Sequence, residues 1–314
     1  MEKRKIRREQ ISLSSACREV MLGGMIWHPD GPARAVLVVV HGMQEHIGRY
    51  RPMAEALNRA GFLVCAYNQL GHGNSLVRGT RGILPGREGA RWVVADCRRF
   101  VAAIRREHPE LPCFLMGHSF GSFVVRQALT DPKTSQGLKG CILSGTAGAD
   151  WGMRLVALPA TRILAALLGE DHQSCRFDRL ANTLFARKFP GESSPHRWVS
   201  SLPEEVARFD SDPQMQFVLS LGGYRTVLEV LEQVSRSDWA KKIDPALPFL
   251  LLSGEADPVG GEGSGVRQVA ERLSRAGCRD LTLRLEPGFR HELLHEPCRK
   301  QVILLIRQWM EQRL

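Results

Sequence analysis

The sequence predicts an α/β fold: a mostly parallel central sheet flanked by helices, with an inserted helical cap. Three observations predict it. Continuous apolar runs such as Ala35-Val36-Leu37-Val38-Val39-Val40 recur along the chain, the mark of strands buried on both faces. Stretches of helical spacing alternate with them, which makes a parallel sheet with helices on its two sides. Between about Ala149 and Arg225 the alternation stops, and amphipathic pieces over 155–168 and 180–189 are separated by Gly, Pro and Ser. The chain therefore divides into a first core segment, 1–148, a helical cap, 149–225, and a second core segment, 226–314.

Taken in order, residues 1–34 are polar apart from a strand pair around Ile11–Leu13 and Met25–His28. The 35–40 strand ends in a polar loop, His41-Gly42-Met43-Gln44-Glu45-His46. A helix over 51–60 follows, closed by Gly61 at its C-cap. Phe62–Tyr67 is the next buried strand and leads to a turn containing Gly71-His72-Gly73. Helical spacing occupies 89–107, and Pro112 introduces the strand Cys113-Phe114-Leu115-Met116. A helix over 122–129 and a strand at 140–145 complete the first segment. The second holds a strand at 248–253, a helix near 266–276, a strand at 281–285 and a last helix over 299–313.

With 314 residues, the chain is long enough for one large domain carrying an insertion. Its 43% hydrophobic and 24% charged residues are the balance of a soluble globular protein. A formal net charge of +10 gives a basic surface that favours anionic partners such as lipid headgroups. Only Lys3-Arg4-Lys5-Ile6-Arg7-Arg8 forms a basic run, and no aromatic residue interleaves with it, so nucleic acid is not an expected partner. Eight cysteines without C-x-x-C pairing, four of them inside expected strands or a helix, read as buried free thiols of a reducing compartment. The basic start carries no apolar h-region, and no apolar span is long enough to cross a bilayer. The expected location is cytoplasmic, with a weak, salt-dependent peripheral contact to anionic membranes.

The chemistry centres on Gly117-His118-Ser119-Phe120-Gly121, which sits between a strand and a helix. A G-x-S-x-G turn there holds its serine in a strained backbone conformation, and the flanking glycines let helix and strand approach closely. A serine hydroxyl is a weak nucleophile, and it needs a histidine base oriented by a carboxylate. Such groups gather beyond the carboxyl ends of strands. Gly254-Glu255-Ala256-Asp257 follows one strand and Gly288-Phe289-Arg290-His291 the next, so the expected catalytic residues are Ser119, Asp257 and His291. Asp257 also reads as a helix N-cap or turn aspartate, and Glu255 is the competing acid. The expected oxyanion donors are the backbone N–H groups of Phe120, directly after the serine, and Met43, in the loop after the 35–40 strand.

His291-Glu292-Leu293-Leu294-His295 matches the H-E-x-x-H zinc pattern. That chemistry needs both histidines on one face of a continuing helix and a third ligand, and Pro297 argues against such a helix. No metal is expected. His72 and His118 read as structural residues that hold turns by hydrogen bonds. Trp151, Trp198 and the 155–168 stripe read as the packing face of the cap, part of which is expected to line an acyl tunnel over Ser119.

Together, His41-Gly42-Met43-Gln44-Glu45-His46-Ile47-Gly48-Arg49-Tyr50, Gly71-His72-Gly73-Asn74-Ser75, Gly117–Gly121 and Arg290-His291-Glu292 resemble the monoacylglycerol lipase and lysophospholipase group of α/β-hydrolases. Asp257-Pro258-Val259-Gly260 resembles the acid loop of its bacterial members. The likeness covers most of the two core segments and the cap only loosely. One departure is Asn68-Gln69, where that group usually shows Asp-His. The resemblance implies a cofactor-free, metal-independent serine hydrolase that cleaves single-chain lipid esters, monoacylglycerol or lysophospholipid, through an acyl-enzyme. A non-lipid carboxylesterase and a non-catalytic ligand-binding protein of the same fold are the alternative readings.

Overall fold

The computed structural model describes residues 7–84, 87–148 and 153–314; residues 3–6 of the basic run, Ala149 at the expected start of the cap, and Trp151 lie outside them. An antiparallel pair, β1 (Arg8–Ser14) and β2 (Met21–Trp27), opens the chain. Then come β3 (Ala35–Val40), α1 (Arg51–Asn58), β4 (Phe62–Tyr67), α2 (Gly89–Glu107), β5 (Cys113–His118) and α3 (Phe120–Ala128). A short α4 (Pro132–Ser135) precedes β6 (Leu138–Ser144). Four helices follow: α5 (Leu158–Leu168), α6 (Cys175–Ala186), α7 (Pro203–Ser211) and α8 (Leu221–Ser235). The last elements are β7 (Phe249–Gly254), α9 (Ser264–Arg275), β8 (Leu281–Glu286) and α10 (Arg299–Glu311).

One eight-stranded sheet runs β1-β2-β4-β3-β5-β6-β7-β8. From β4 to β8 every pairing is parallel; β1 and β2 add an antiparallel edge. The apolar run of β3 is buried on both faces, as its composition requires. Val36, Val38 and Val40 pack into one core cluster, and Ala35, Leu37 and Val39 into the other. Helix α1 ends before Gly61, whose φ of 83° and N–H bond to the Asn58 carbonyl turn the chain into β4.

The helical insertion between β6 and β7 differs from expectation in two ways. First, α8 begins before Arg225 and continues past it, packing on α2 and α3 of the core as well as on α5. The α8 sequence, LGGYRTVLEVLEQVS, carries two glycines in its first turn, a weak local helix signal, and tertiary packing overrides it. Second, the large apolar side chains of the 155–168 stripe turn outward. Leu158, Thr161 and Ala165 form the buried face of α5, whereas Leu155, Val156, Ile163, Leu167 and Leu168 are 55–75% exposed.

Both connections of this insertion meet at one buried side chain. Arg126, on α3 and fully buried, donates to the Thr146 hydroxyl (3.3 Å) and Ala147 carbonyl (2.7 Å) just after β6. Its other amino group donates to the Val234 carbonyl (2.7 Å) in the last turn of α8, and the guanidinium lies over the Trp239 ring at 4.3 Å. Burial, reinforced by the nearby Arg272 charge, pulls this guanidinium down to about 9. The carbonyl end of α8 and the indole face offset part of that cost. Replacing Arg126 by Met leaves the Ala147 and Val234 carbonyls without a donor. The expected loss is on the order of 3 kcal/mol of stability, read as a lower urea midpoint, with Arg126→Lys recovering part of it.

Candidate active site

Ser119 sits between the last residue of β5 and the first of α3, with φ 50° and ψ −124°. A non-glycine residue in that region costs about 1–3 kcal/mol and persists only where its surroundings enforce it. Here they do. A Cβ on Gly117 would lie 2.5 Å from the Gly121 carbonyl oxygen, and one on Gly121 would strike the carbonyls of Val40 and His41. The Ser119 N–H donates to the Ser144 carbonyl of β6 (2.9 Å), which fixes the turn to the neighbouring strand.

Strand β3 lies between β4 and β5, so the chain leaves β3 toward one side and β5 toward the other. The crevice at that reversal is where open α/β sheets hold their chemistry. The loop after β3 closes on the elbow there: a Cβ on Gly42 would come within 3.0 Å of the Ser119 Cβ. Met43 is the next residue. Among the described residues no acceptor takes the N–H of Met43 or of Phe120, the first residue of α3.

Neutral histidines and amides hold this loop. His41 Nε2 accepts the Gln69 N–H (2.9 Å), so its Nδ1–H donates to the Gly42 carbonyl (2.7 Å). His72 Nε2 accepts the Gln44 N–H (3.1 Å), and its Nδ1–H donates to the Leu70 carbonyl (2.9 Å). Burial lowers His41 to about 4 and His72 to about 3, keeping both neutral and able to accept. Asn68 accepts the Ile47 N–H (3.0 Å) and donates to Asn74 (2.8 Å), while the Gln69 side chain donates to the His41 carbonyl (2.6 Å). The Asn68-Gln69 departure thus supplies its own ties to the loop.

Asp257 and His291 are brought together. His291 Nδ1 lies 2.9 Å from both carboxylate oxygens of Asp257, which also accepts from the Ser253 hydroxyl (2.9 Å) and the Val259 N–H (2.9 Å). Burial opposes the charged form of each. The Asp257 carboxylate nevertheless holds His291 above its ordinary value, and His291 with the two donors holds Asp257 below the usual range. Glu255, the competing acid, is exposed. His291 Nε2 is buried without a partner, and no hydrogen bond joins it to the Ser119 hydroxyl. Catalytic hydrogen bonds often close only when substrate is bound. Among the described residues His118 has no hydrogen-bond partner that would hold a turn; its ring packs against His291 at 4.9 Å.

The H-E-x-x-H stretch is spent residue by residue on other tasks. Glu292 takes a bidentate pair from Arg49 (2.6 and 2.7 Å), and Arg49 also reaches Glu45 (3.4 Å). Glu45 in turn accepts the Gly42 N–H and the Tyr50 hydroxyl (2.8 Å). His295 pairs with Glu205 of α7 (3.3 Å), and buried Glu296 accepts the N–H groups of Ser201 (2.9 Å) and Arg290 (2.8 Å). Only Leu293–His295 is helical, as a single 3-10 turn, so the two imidazoles do not share the face of a continuing helix. Among the described residues no group of three His, Cys, Asp or Glu side chains is arranged to hold a metal.

This sheet order, with its elbow and its insertion after β6, is that of the α/β-hydrolases. A family model described as "Serine aminopeptidase, S33" matches residues 31–298, and the chain belongs to that family. It is similar to a monoacylglycerol lipase of Mycolicibacterium smegmatis, 30% identical over 293 residues, covering 92% of each chain. A monoglyceride lipase of Rattus norvegicus is 28% identical over 304 residues, covering 92% of this chain and 86% of the relative. Among solved structures, a thermostable carboxyl esterase from Bacillus coagulans superposes with a TM-score of 0.90 at 26% identity, over 98% of this chain and 99% of that one.

Sequence reasoning missed Glu45, Arg49 and Glu292 as a buried charge cluster linking the loop after β3 to the loop after β8. All three lay within the stretches that carry the family resemblance, but a pairing across 243 positions has no local pattern. Burial opposes ionisation of Glu292, yet Arg49 overrides it and draws the carboxyl to about 2 from an ordinary 4.5. A lowered folded value means stabilisation present above about 4.5 and lost as pH falls toward 2. In Glu292→Gln, the fall of the urea midpoint across that window becomes shallower than in the unaltered protein; an equally steep fall would assign the acid sensitivity elsewhere.

Proposed function

We propose that the protein is a serine hydrolase that cleaves carboxylic esters of single-chain lipids, monoacylglycerol or lysophospholipid, through an acyl-enzyme. The observation that carries this reading is the strained Ser119 at the head of α3, on the same sheet edge as an aspartate-paired histidine whose Nε2 has no protein partner. In this mechanism Ser119 Oγ attacks the ester carbonyl carbon while His291 Nε2 takes its proton. The N–H groups of Phe120 and Met43 stabilise the tetrahedral oxyanion, helped by the positive end of α3. Collapse expels the alcohol, protonated by His291. Water, activated by the same imidazole, then releases the fatty acid and restores Ser119. Asp257 holds the tautomer that presents Nε2 as the acceptor and stabilises the imidazolium. Neither step uses a cofactor or a metal.

The insertion, expected as a cap over 149–225 between core segments 1–148 and 226–314 but with α8 crossing its second boundary, belongs to this reading as the roof of the acyl site. The names of the lipase relatives support a monoacylglycerol-like substrate. The outward-facing leucines of α5, together with Leu180 and Leu184 of α6 and a net charge of +10, support weak peripheral contact with an anionic membrane. No helix among the described residues is long and apolar enough to cross a membrane.

A fluorophosphonate probe tests the nucleophile. It labels the unaltered protein and not Ser119→Ala, which keeps its fold but loses esterase activity. Asp257→Asn loses most of its turnover through the wrong histidine tautomer. Absence of labelling would leave a ligand-binding protein on this fold.

The likeness to a carboxyl esterase favours one second reading, a non-lipid esterase. Rates on mono-, di- and triacylglycerols of matched chain, a lysophospholipid and a short acetyl ester separate the two. The lipid reading expects the single-chain esters to be cleaved fastest. Faster turnover of the acetyl ester than of every long-chain monoester would select the esterase.

A further inference from the structure

Two rings pack against the imidazole of His291. His118, at the end of β5, lies 4.9 Å away, and the indole of Trp198, from the cap, lies 5.1 Å away and tilted by 48°. Trp198 is buried and well fixed. Its Nε1–H donates to Asn182 of α6 (3.2 Å), Asn182 donates to the Asp178 carbonyl (3.1 Å), and Phe185 packs on the indole at 5.0 Å. The backbone beside it is tied to the histidine loop. Val199 accepts the Glu292 N–H (2.8 Å), Ser200 donates to the His295 carbonyl (2.8 Å), and the Ser201 N–H reaches Glu296.

We infer that Trp198 is a positioning residue for the reaction. The cap's indole backs His291 and favours its protonated form, so the strength of the base depends on the cap being seated. The face of an indole is electron-rich and attracts a cation within about 6 Å of its centroid. An imidazolium arises each time His291 takes a proton, and in a buried site the attraction is not screened by water. The other groups acting on this imidazole come from the core: Asp257 after β7, Glu292 beside it, Glu45 from the segment between β3 and α1, and His118 from β5; Arg49 is paired with Glu292 and acts on His118. Burial lowers His118 to about 4, so it stays neutral and adds no competing cation.

The inference rests on His291 being the base of the proposed hydrolase, and its test is chosen to be read separately. The His291 ring is titrated by NMR in a Ser119→Ala background, which needs no turnover, with and without Trp198→Leu and Trp198→Phe. Leu keeps an apolar cover and removes the ring face, so the pKa of His291 falls by roughly half a unit to one and a half units, the range of one such contact from exposed to desolvated; Phe gives a smaller fall. In the active protein, the acid limb of the kcat/KM profile moves to lower pH by the same amount. Should Trp198→Leu not fold, Asn182→Ala frees the indole from its anchor and is expected to shift His291 in the same direction. An unchanged or raised pKa in the folded Trp198→Leu variant overturns the inference, as does a rate loss uniform across pH. If Trp198→Leu does not fold, no shift in both Trp198→Phe and Asn182→Ala overturns it too. Failure of the fluorophosphonate label overturns the hydrolase reading instead, without altering the titration.

Discussion

The carboxyl edge of the sheet depends on how closely α3 approaches β3 and β5. Gly121 lies against the Val40 and His41 carbonyls, and Gly117 against the start of α3. Any side chain there would push the helix away from the sheet. With the helix held in, Ser119 has no relaxed backbone alternative, and its hydroxyl is carried on a turn that cannot unwind. The same approach brings the N-terminal end of α3 up to Gly42, so the loop after β3 shares a wall with the elbow. The strain of one residue is thus maintained by the packing of a whole layer.

Buried charge does for the loops what close packing does for the elbow. Arg49 bridges Glu45 and Glu292, and Glu45 caps the Gly42 N–H. One cluster therefore sets the turn that precedes Met43 and the residue that follows His291. Around it, His46 with Asp212 (3.0 Å), His295 with Glu205, and Gln44 with the Phe217 carbonyl (2.8 Å) attach both loops to the insertion. Buried charges add little to net stability when their solvation is lost, but removing one partner is costly. Their contribution here is register: loops from three distant parts of the chain are held in one arrangement.

Much of this was legible in the sequence because the signals are local. β3, β4 and α2 are bounded where their apolar periodicity places them, since strands buried on both faces and a long amphipathic helix each carry a strong pattern. The elbow is legible because its glycines are required within five residues. The insertion was less so. Helix α8 has two glycines in its first turn and is held by α2 and α3, partners far away in sequence. The outward turn of Ile163, Leu167 and Leu168 on α5 could not be read either, because an apolar stripe does not state which side its partner lies on. Trp198 was legible as a packing residue; its contact with His291 arises only once the insertion folds back over the histidine loop.

Arg126 gathers the outgoing and returning ends of the insertion onto the helix that carries Ser119. Geometrically, the insertion is then a closed excursion, leaving and rejoining the core at one point. A change in its length leaves those two carbonyl contacts in place, but the ties from Asp212, Glu205 and Phe217 to the loops of the site travel with it. The core carries Ser119, Asp257 and His291, and the segment between Ala147 and Val234 brings Trp198 against that histidine.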